Sequence, residues 1–222
     1  MSGVFIAFEG GEGAGKSTQA RCLESYLSAQ GYNAVLLREP GSTQLGDYLR
    51  AYLVNNEPIV PSAELLLFEA SRAQLVEERI RPLLDSGAVV IADRFAGSTV
   101  AYQGHGRGIK LDRIRWLNDF ATGRLYPDLT ILLDIDPLVG LERVNSRQLQ
   151  LALPMAGAPD RFEEEIMAFH DNVRRGFLEQ AESDPDHWQI VDGHRSIAQV
   201  ATAVRAAIEG LITARVPPVH VS

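Results

Sequence analysis

Short apolar runs alternate with helical patterns along the whole chain. Five runs are visible, the last weaker than the others: Val4–Phe8, Ala34–Leu37, Ala88–Ala92, Leu129–Leu133 and Trp188–Val191. Their apolar positions are continuous rather than alternating with polar ones, which is typical of strands buried on both faces of a parallel sheet. We therefore predict a parallel sheet whose strands are separated by helices.

Between these runs, apolar residues recur at spacings of three and four. The pattern is clear in Lys16–Gln30, in Pro61–Glu78 and in the amphipathic stretch Ile197–Leu211, and Gly31 is placed to end the first of these helices. Strand and helix alternate over the whole length and no internal repeat is visible. We therefore predict a single α/β domain over residues 1–215.

Two segments do not fit this alternation. Asn145–Pro159 is rich in Ala, Leu and Pro and lies between helical stretches, so we predict a loop or mobile flap there. The tail Val216–Ser222 is predicted to be frayed.

Charged side chains follow the predicted strands at their carboxyl ends: Glu9, Arg38, Asp93, Arg94, Asp134 and Asp136. In open parallel sheets the ligand crevice lies along that edge. Several of these side chains are therefore expected to border one site.

Composition restricts the class of protein. The chain has 222 residues, enough for one domain, and is 45% hydrophobic and 23% charged. Its net charge of −8 argues against broad binding of a nucleic-acid polymer. No apolar run approaches the roughly 20 residues that cross a bilayer, and a single cysteine, Cys22, rules out an intrachain disulfide. We expect a cytoplasmic protein with no membrane partner.

A glycine-rich stretch follows the first predicted strand and precedes the first predicted helix. It matches the phosphate-binding pattern G-x-x-x-x-G-K-[ST], and its predicted ATP-binding residues are Gly10, Gly11, Glu12, Gly13, Ala14, Gly15, Lys16, Ser17 and Thr18. Glycines let successive backbone N–H groups wrap a phosphate, and the helix start adds its positive end. Lys16 can reach the β- and γ-phosphates, and the Ser17 hydroxyl can bind Mg²⁺.

The phosphate loop indicates a nucleoside triphosphate without naming the reaction. A GTPase would usually carry an N-K-x-D motif, and neither lysine of the chain, Lys16 or Lys110, lies in one. A kinase of a small acceptor fits the size of the chain. A deoxynucleoside kinase, a kinase of another nucleoside monophosphate and, more distantly, an ATPase that switches between partners remain alternatives.

Three further stretches narrow the choice: Arg38-Glu39-Pro40-Gly41, Phe68-Glu69-Ala70-Ser71-Arg72, and Asp93-Arg94-Phe95 followed by Ser98-Thr99-Val100-Ala101-Tyr102-Gln103. Together with FEGGEGAGKST, YPDLTILLDI and DRFEEE, they resemble the bacterial form of the thymidylate kinase family. The resemblance implies a P-loop kinase fold with a five-stranded parallel sheet surrounded by helices, a lid at about residues 144–160, and a homodimer. It also implies transfer of the γ-phosphoryl group of ATP to dTMP with Mg²⁺, a step in dTTP synthesis.

The resemblance also implies roles for individual residues. The implied substrate-binding residues are Glu9, Arg38, Phe68, Arg72, Arg94, Ser98, Tyr102 and Gln103. Arg38 and Arg94 would grip the acceptor phosphate, which favours a monophosphate over a nucleoside, and Phe68 would stack on thymine. Arg72 and Gln103 would contact the edge of the base, and Tyr102 would crowd the sugar 2′ position. Glu9 would approach the acceptor sugar or phosphate.

Some of these side chains have simpler explanations that the sequence leaves open. Phe68 and Tyr102 fit ordinary core packing, and Arg38 fits a surface charge. Asp93, with Ser17, is the expected metal-binding residue, but Asp93 and Glu9 both also fit an ion pair with a neighbouring arginine.

Charge on the transferring phosphoryl group requires a further cation. Some members of the family carry an arginine inside the phosphate loop, where this chain has Gly13. The bacterial form supplies lid arginines instead, and the candidates here are Arg143, Arg147 and Arg161. We expect Arg147 to be the catalytic one, together with Lys16 and Arg94, although each of the three also fits a helix cap.

Overall fold

The five apolar runs form one parallel sheet in the computed structural model, which describes residues 3–54, 59–149 and 161–216. The strands are β1 (Val4–Glu9), β2 (Ala34–Arg38), β3 (Val89–Asp93), β4 (Leu129–Asp134) and β5 (Trp188–Asp192). Their order across the sheet is β2-β3-β1-β4-β5, and every neighbouring pair is parallel. The predicted five-stranded parallel sheet is confirmed.

The register brings the predicted site residues to one edge. Phe8 of β1 and Arg38 of β2 both pair with Asp93 of β3, so three neighbouring strands end side by side. All six residues of β1 are buried because this strand lies at the centre of the sheet with helices over both faces.

Nine α-helical segments surround the sheet: α1 (Lys16–Ala29), α2 (Gln44–Val54), α3 (Pro61–Leu75), α4 (Arg81–Asp85), α5 (Ala96–Thr99), α6 (Leu111–Thr122), α7 (Pro137–Leu149), α8 (Arg161–Ser183) and α9 (Ile197–Arg215). This count covers the described residues. Two helices continue as π-helical turns, over Val76–Ile80 after α3 and over Val100–Gly106 after α5. The second turn carries Tyr102 and Gln103, and π-helical turns are frequent at functional sites.

Helix α9 covers one face of the sheet. By length and composition it could cross a membrane, with a mean hydropathy of 1.3. Its apolar stripe, which includes Val200, Val204 and Ile208, is buried in the same core as β1 and α1. The core helices of soluble proteins pass the same test, and packing accounts for this stripe, which belongs to a window of which 28% is buried.

Two predictions of irregular structure were wrong in part. Helix α7 continues to Leu149, so residues 145–149 are helical rather than a loop, and residues 150–160 of the predicted lid lie outside the described residues. Val216 is buried and donates its N–H to the Ile212 carbonyl, so it is not frayed, while residues 217–222 also lie outside. Residues 145–149 contain neither proline nor glycine, so nothing in their sequence ends helix α7.

Candidate active site

Two adjoining cavities open at the carboxyl edge of the sheet. The first, here called the loop cavity, has a volume of about 280 Å³ and lies over the phosphate loop and the start of α1. The second, the helix cavity, has a volume of about 370 Å³ and lies among α2, α3, the turn after α5, and α8. Four residues line both cavities: Glu12, Glu39, Arg50 and Arg94. Molecules in the two cavities would therefore meet at this shared wall.

Backbone geometry explains the glycines of the phosphate loop. Gly10, Gly13 and Gly15 have φ values of 140°, 68° and 95°, a region that favours glycine. A Cβ on Gly10 would also lie 2.4 Å from the Leu133 carbonyl oxygen of β4. No side chain caps α1, whose N-cap is Gly15. The loop and the first turn thus present main-chain groups to the loop cavity, as anion binding requires.

Lys16 lies almost fully buried beneath this loop. Its Nζ donates to the carbonyl oxygens of Gly10 at 2.9 Å and Gly11 at 2.6 Å. Burial and the nearby Arg94 guanidinium lower the pKa of Lys16 to about 7. An anion bound in the loop cavity would favour the charged ammonium and raise that pKa again.

Ser17 and Asp93 meet at the floor of the loop cavity. The Ser17 hydroxyl donates a hydrogen bond to Asp93 Oδ2, and both residues line the cavity. Hydroxyl and carboxylate oxygens are ligands that suit Mg²⁺, which needs few protein ligands when phosphates supply the others. The described residues contain no cluster of three or more His, Cys, Asp or Glu side chains, so the protein oxygens alone do not form a metal cage.

Arg94 lies at the junction of the two cavities. Its guanidinium donates to Glu12 Oε1 at 2.8 Å and to Ser98 Oγ at 3.2 Å, and it lies 4.9 Å from the centre of the Tyr102 ring. Its backbone adopts φ of 74°, an uncommon value for a residue other than glycine. Burial opposes its charge, but Tyr102, Glu12 and Glu9 together hold its pKa above the ordinary value.

The helix cavity has an aromatic wall and a polar end. Phe68 is half-buried and lines it with Tyr102 and Gln103. The Tyr102 hydroxyl donates to Glu12 Oε1 at 2.9 Å, and Gln103 Nε2 donates to Glu64 Oε1 at 2.7 Å. An apolar cavity with a few fixed polar groups is typical of a site for a small ring-containing molecule.

Arg72 forms the floor of the helix cavity within a buried ionic network. Its NH1 donates to Glu69 at 2.9 Å and Asn118 at 2.6 Å, and its NH2 donates to Glu39 and, at 2.7 Å, to Thr99. Its Nε has no partner among the described residues. The terminal N–H groups of Arg72 are thus taken up by the protein, and its Nε–H is buried without a partner among the described residues.

Glu39 belongs to the same network and faces both cavities. Its Oε1 accepts the hydrogen bond from Arg72, while its Oε2 has no partner among the described residues. Burial raises the pKa of Glu39 to about 7 in spite of the nearby Arg72 charge. The network therefore holds two carboxyl groups, those of Glu39 and Glu69, around one guanidinium.

Two predicted substrate-binding residues lie away from the helix cavity. Glu9 is fully buried, and its carboxylate accepts hydrogen bonds from the backbone N–H groups of Phe95 and Ser98 and from the Ser98 hydroxyl, at 2.6–2.9 Å. It holds the start of α5 and lines neither cavity. Arg38 is exposed and lines the loop cavity. Arg38 thus borders the loop cavity and Phe68 the helix cavity.

Several residues of the site escaped the sequence analysis. Arg50 lines both cavities from α2, a helix that the sequence analysis did not predict. Glu12 was assigned to the phosphate loop, but its carboxylate faces Arg94 and Tyr102. Phe169 and His170 also line the helix cavity; they lie inside the amphipathic helix α8, and no sequence motif marks them.

The predicted lid arginines have different positions. Arg143 lies on α7 and donates to the Gly193 carbonyl oxygen at 3.0 Å. Residue 147 belongs to α7 and residue 161 begins α8, but the side chains of Arg147 and Arg161 lie outside the described part. The choice of Arg147 therefore stays a prediction.

Comparison with known proteins points to one family by sequence and by fold. A family model described as thymidylate kinase matches residues 8–204. The chain is 47% identical over 211 residues to the thymidylate kinase of Geotalea daltonii, covering 94% of this chain and 97% of the relative. It is 46% identical over 214 residues to that of Desulfovibrio desulfuricans, covering 96% and 98%. Its fold is similar to the crystal structure of thymidylate kinase from Ehrlichia chaffeensis, with a TM-score of 0.76 and 33% identity over 93% of this chain and 98% of that one.

Proposed function

The chain belongs to the thymidylate kinase family, and we propose that its loop cavity binds the phosphates of ATP while its helix cavity binds dTMP. The family resemblance inferred from the sequence is confirmed. The protein is a nucleoside monophosphate kinase that phosphorylates dTMP to dTDP with ATP as donor, a step towards dTTP. The observation that carries the assignment of the cavities is Arg94, which lies between them and lines both.

The chemistry needs alignment and charge neutralisation rather than a general base. The acceptor is already an anionic phosphate oxygen, so the protein has to place it in line with the γ-phosphoryl group. Main-chain N–H groups of the loop and the Lys16 ammonium stabilise charge on the donor phosphates. Arg94 is placed to stabilise charge on the oxygens between donor and acceptor.

Ser17 and Asp93 would hold the Mg²⁺ ion that accompanies ATP. When bound, the ion would neutralise phosphate charge. The hydrogen bond between these two side chains supports the assignment because it already places both oxygens on the cavity floor. Removal of divalent cations with EDTA should abolish turnover, and added Mg²⁺ should restore it. Full activity in EDTA would contradict this part of the proposal.

The walls of the helix cavity suit the base and sugar of dTMP. Phe68 offers a ring face for thymine, and Gln103 and Arg72, which line the same cavity, are the candidates to contact its edge. Tyr102, held by Glu12 and packed under Arg94, is placed to exclude a 2′-hydroxyl. Ser98 lies beside Arg94 near the expected acceptor phosphate.

Arg38 and Arg50 extend the positive charge of the shared wall. Arg38 lines the loop cavity, and Arg50 lines both cavities. We assign both arginines to the phosphate groups. We place Arg50 on the acceptor side because its guanidinium donates to the carbonyl oxygen of Pro40 at 3.2 Å, and Pro40 lines the helix cavity.

Arg147 is our candidate for the lid cation. Because a lid arginine acts mainly in the transition state, Arg147→Ala should lower kcat by roughly 100-fold and change the KM for dTMP much less. Arg175→Ala, at an exposed position of α8, serves as the control, and Arg143→Ala tests the other candidate on α7. An unchanged kcat in Arg147→Ala would remove this residue from the mechanism.

The acceptor is tested by a coupled ADP-release assay with dTMP, thymidine, dUMP and UMP offered separately. We expect dTMP to give the highest kcat/KM and UMP to be excluded by Tyr102. Turnover of thymidine but not of dTMP would indicate a deoxynucleoside kinase. ATP hydrolysis that no nucleotide accelerates would indicate a switch ATPase and would overturn the assignment of the helix cavity.

An exposed apolar face supports a homodimer. Trp116 and Phe120 of α6 stack with ring centres 5.7 Å apart and are 64% and 76% exposed, and Leu66 on α3 is 56% exposed. Exposed apolar patches of this kind mark protein interfaces. Sedimentation should give a dimer for the wild type and a monomer for Phe120→Asp. A monomeric wild type would contradict the proposal.

We also propose a cytoplasmic location, in agreement with the single cysteine and the burial of the apolar stripe of α9. Fractionation of cells that produce the chain should place it in the soluble fraction, and recovery with membranes would contradict this.

A further inference from the structure

Helix α7 and the phosphate loop approach each other where neither has a side chain. Gly140, a buried residue inside α7, packs against the peptide that joins Glu12 to Gly13. A Cβ on Gly140 would lie 2.2 Å from the Glu12 carbonyl oxygen, and a Cβ on Gly13 would lie 2.0 Å from the Gly140 carbonyl oxygen. Real Cβ atoms almost never come within 3.0 Å of another atom, so each position accepts only glycine unless the backbones separate.

Neither glycine is explained by its own segment alone. Glycine inside a helix is less favourable than alanine, so Gly140 requires a packing reason. Gly13 has a φ of 68°, which accounts for a glycine, but its contact with α7 forbids a side chain independently of that angle. The same contact excludes an arginine at position 13, so in this chain the additional cation must come from outside the loop.

The contact bears on the site because α7 forms part of its wall. Val144 lies one turn beyond Gly140, hence on the same face of the helix, and lines the loop cavity together with Gly13 and Lys16. Arg143 of the same helix is tied to the Gly193 carbonyl oxygen. The separation between α7 and the loop at Gly140 therefore fixes how far this wall stands from the phosphate-binding N–H groups.

We propose that Gly140 is a positioning residue for phosphoryl transfer, whose missing side chain sets the distance of α7 from the phosphate loop and so the width of the loop cavity. This inference rests on the proposed function of the loop cavity as the ATP phosphate site. The helix cavity should be much less affected, because its described lining comes from the loop residue Glu12 and from elements other than α7.

The test is Gly140→Ala, compared with Gly210→Ala as a matched control. A Cβ on Gly210, in α9, meets nothing within 4 Å, so that variant makes the same change without the contact. An alanine at position 140 must push helix and loop apart by about 1 Å, and a misplacement of that size can cost about 100-fold in rate. We expect kcat to fall about 10- to 100-fold and the KM for ATP to rise, while the Kd for dTMP without ATP stays within about threefold. Gly210→Ala should match the wild type.

Two outcomes would overturn the proposal. Kinetics of Gly140→Ala within about twofold of Gly210→Ala would show that the contact does not control the reaction. Equal loss of dTMP and ATP binding would show general damage instead of control of the loop cavity. Failure of the wild type to phosphorylate dTMP would refute the proposed function itself, which is a separate result because the inference depends on the ratio between variant and wild type.

A second variant decides the matter if Gly140→Ala does not fold. Val144→Ala truncates a side chain in the wall of the loop cavity and leaves the contact between Gly140 and the phosphate loop unchanged. We expect it to raise the KM for ATP several-fold and to leave the Kd for dTMP unchanged. An unchanged KM for ATP in this variant would also overturn the proposal, since the wall would then have no influence on the donor.

Discussion

The two cavities of this kinase are built on different principles. The loop cavity is lined in part by the main chain of the phosphate loop, and close backbone contacts at Gly10, Gly13 and Gly140 fix the position of that loop. The helix cavity is bounded by side chains that hold one another, above all the buried network around Arg72. The donor site therefore depends on how closely backbones approach, and the acceptor site depends on which side chains are present. Substitutions should reveal this difference.

The largest effect is expected at the residue that both cavities share. Arg94→Ala should lower kcat about 1,000-fold, because an arginine that stabilises a transferring phosphoryl group contributes at least that much. It should also weaken dTMP binding strongly and leave ATP binding nearly intact, as measured by calorimetry. Arg175→Ala, an exposed arginine on α8, is the control. Equal loss of both ligands would contradict the separation into two sites.

The next effect concerns stability and distinguishes the side-chain network from the glycine loop. Arg72→Ala leaves the carboxyl groups of Glu39 and Glu69 buried without their partner, which should cost about 3–5 kcal/mol of unfolding free energy. This corresponds to a fall in Tm of roughly 10 °C, measurable by calorimetry. Adding Glu39→Gln should recover part of the loss. A loss of unfolding free energy below about 1 kcal/mol would show that Glu39 and Glu69 do not depend on Arg72 for their charge compensation.

A smaller effect should separate the two ligands. Phe68→Ala removes the ring face of the helix cavity and should raise the KM for dTMP about tenfold, because aromatic stacking contributes about 0.5–1.5 kcal/mol beyond the buried area. The KM for ATP should not change, and Phe68→Tyr should behave like the wild type. If both KM values rise together, the ring supports the fold rather than the acceptor.

The smallest expected effect is the uptake of a proton by Lys16 when ATP binds. Burial lowers the pKa of Lys16 to about 7, so near pH 8 the free enzyme holds this amine mostly neutral. Phosphates in the loop cavity should raise that pKa, and ATP binding should therefore take up close to one proton near pH 8 but much less near pH 6. Calorimetry in buffers of different ionisation enthalpy measures this uptake.

The same shift has a consequence for stability. Because the folded pKa of Lys16 is below its unfolded value, the unfolded chain binds more protons between about pH 7 and 10.5, and this group favours the folded state increasingly as pH rises through that range. Lys16→Arg, whose guanidinium stays charged, should show neither effect. Proton uptake that persists in Lys16→Arg would assign the titration to another group.

The sequence predicted the sheet and the loop well, because both depend on local patterns. Each of the five apolar runs matches a strand to within one residue at either end, and the glycine pattern marked the loop. It predicted the helix cavity through Phe68 and Tyr102 only by resemblance to a family. Arg50 and the orientation of Glu12 depend on which helices meet, and a one-dimensional pattern does not contain that information.

Charge at a strand end was an ambiguous signal. Asp93 and Arg94 border the cavities, whereas the equally placed Glu9 turns under the sheet edge to hold α5, and Asp134 pairs with Arg174 of α8 at 2.8 Å. The edge was predicted correctly, but the direction of each side chain depends on the nearest donor. The contact between Gly13 and Gly140 could not be predicted either, because a single glycine within a helical pattern does not indicate which segment packs against it.

The central position of β1 has a consequence for motion. The phosphate loop continues directly from this strand, which is paired on both sides and fully buried. Unfolding that spreads from the phosphate loop into β1 would have to separate the strands at the centre of the sheet. The backbone amides of Ala7 and Phe8 should therefore exchange with deuterium only through global unfolding. The donor site would then persist for as long as the domain stays folded. Slower movements would occur instead in the helices that border the helix cavity, where the acceptor binds.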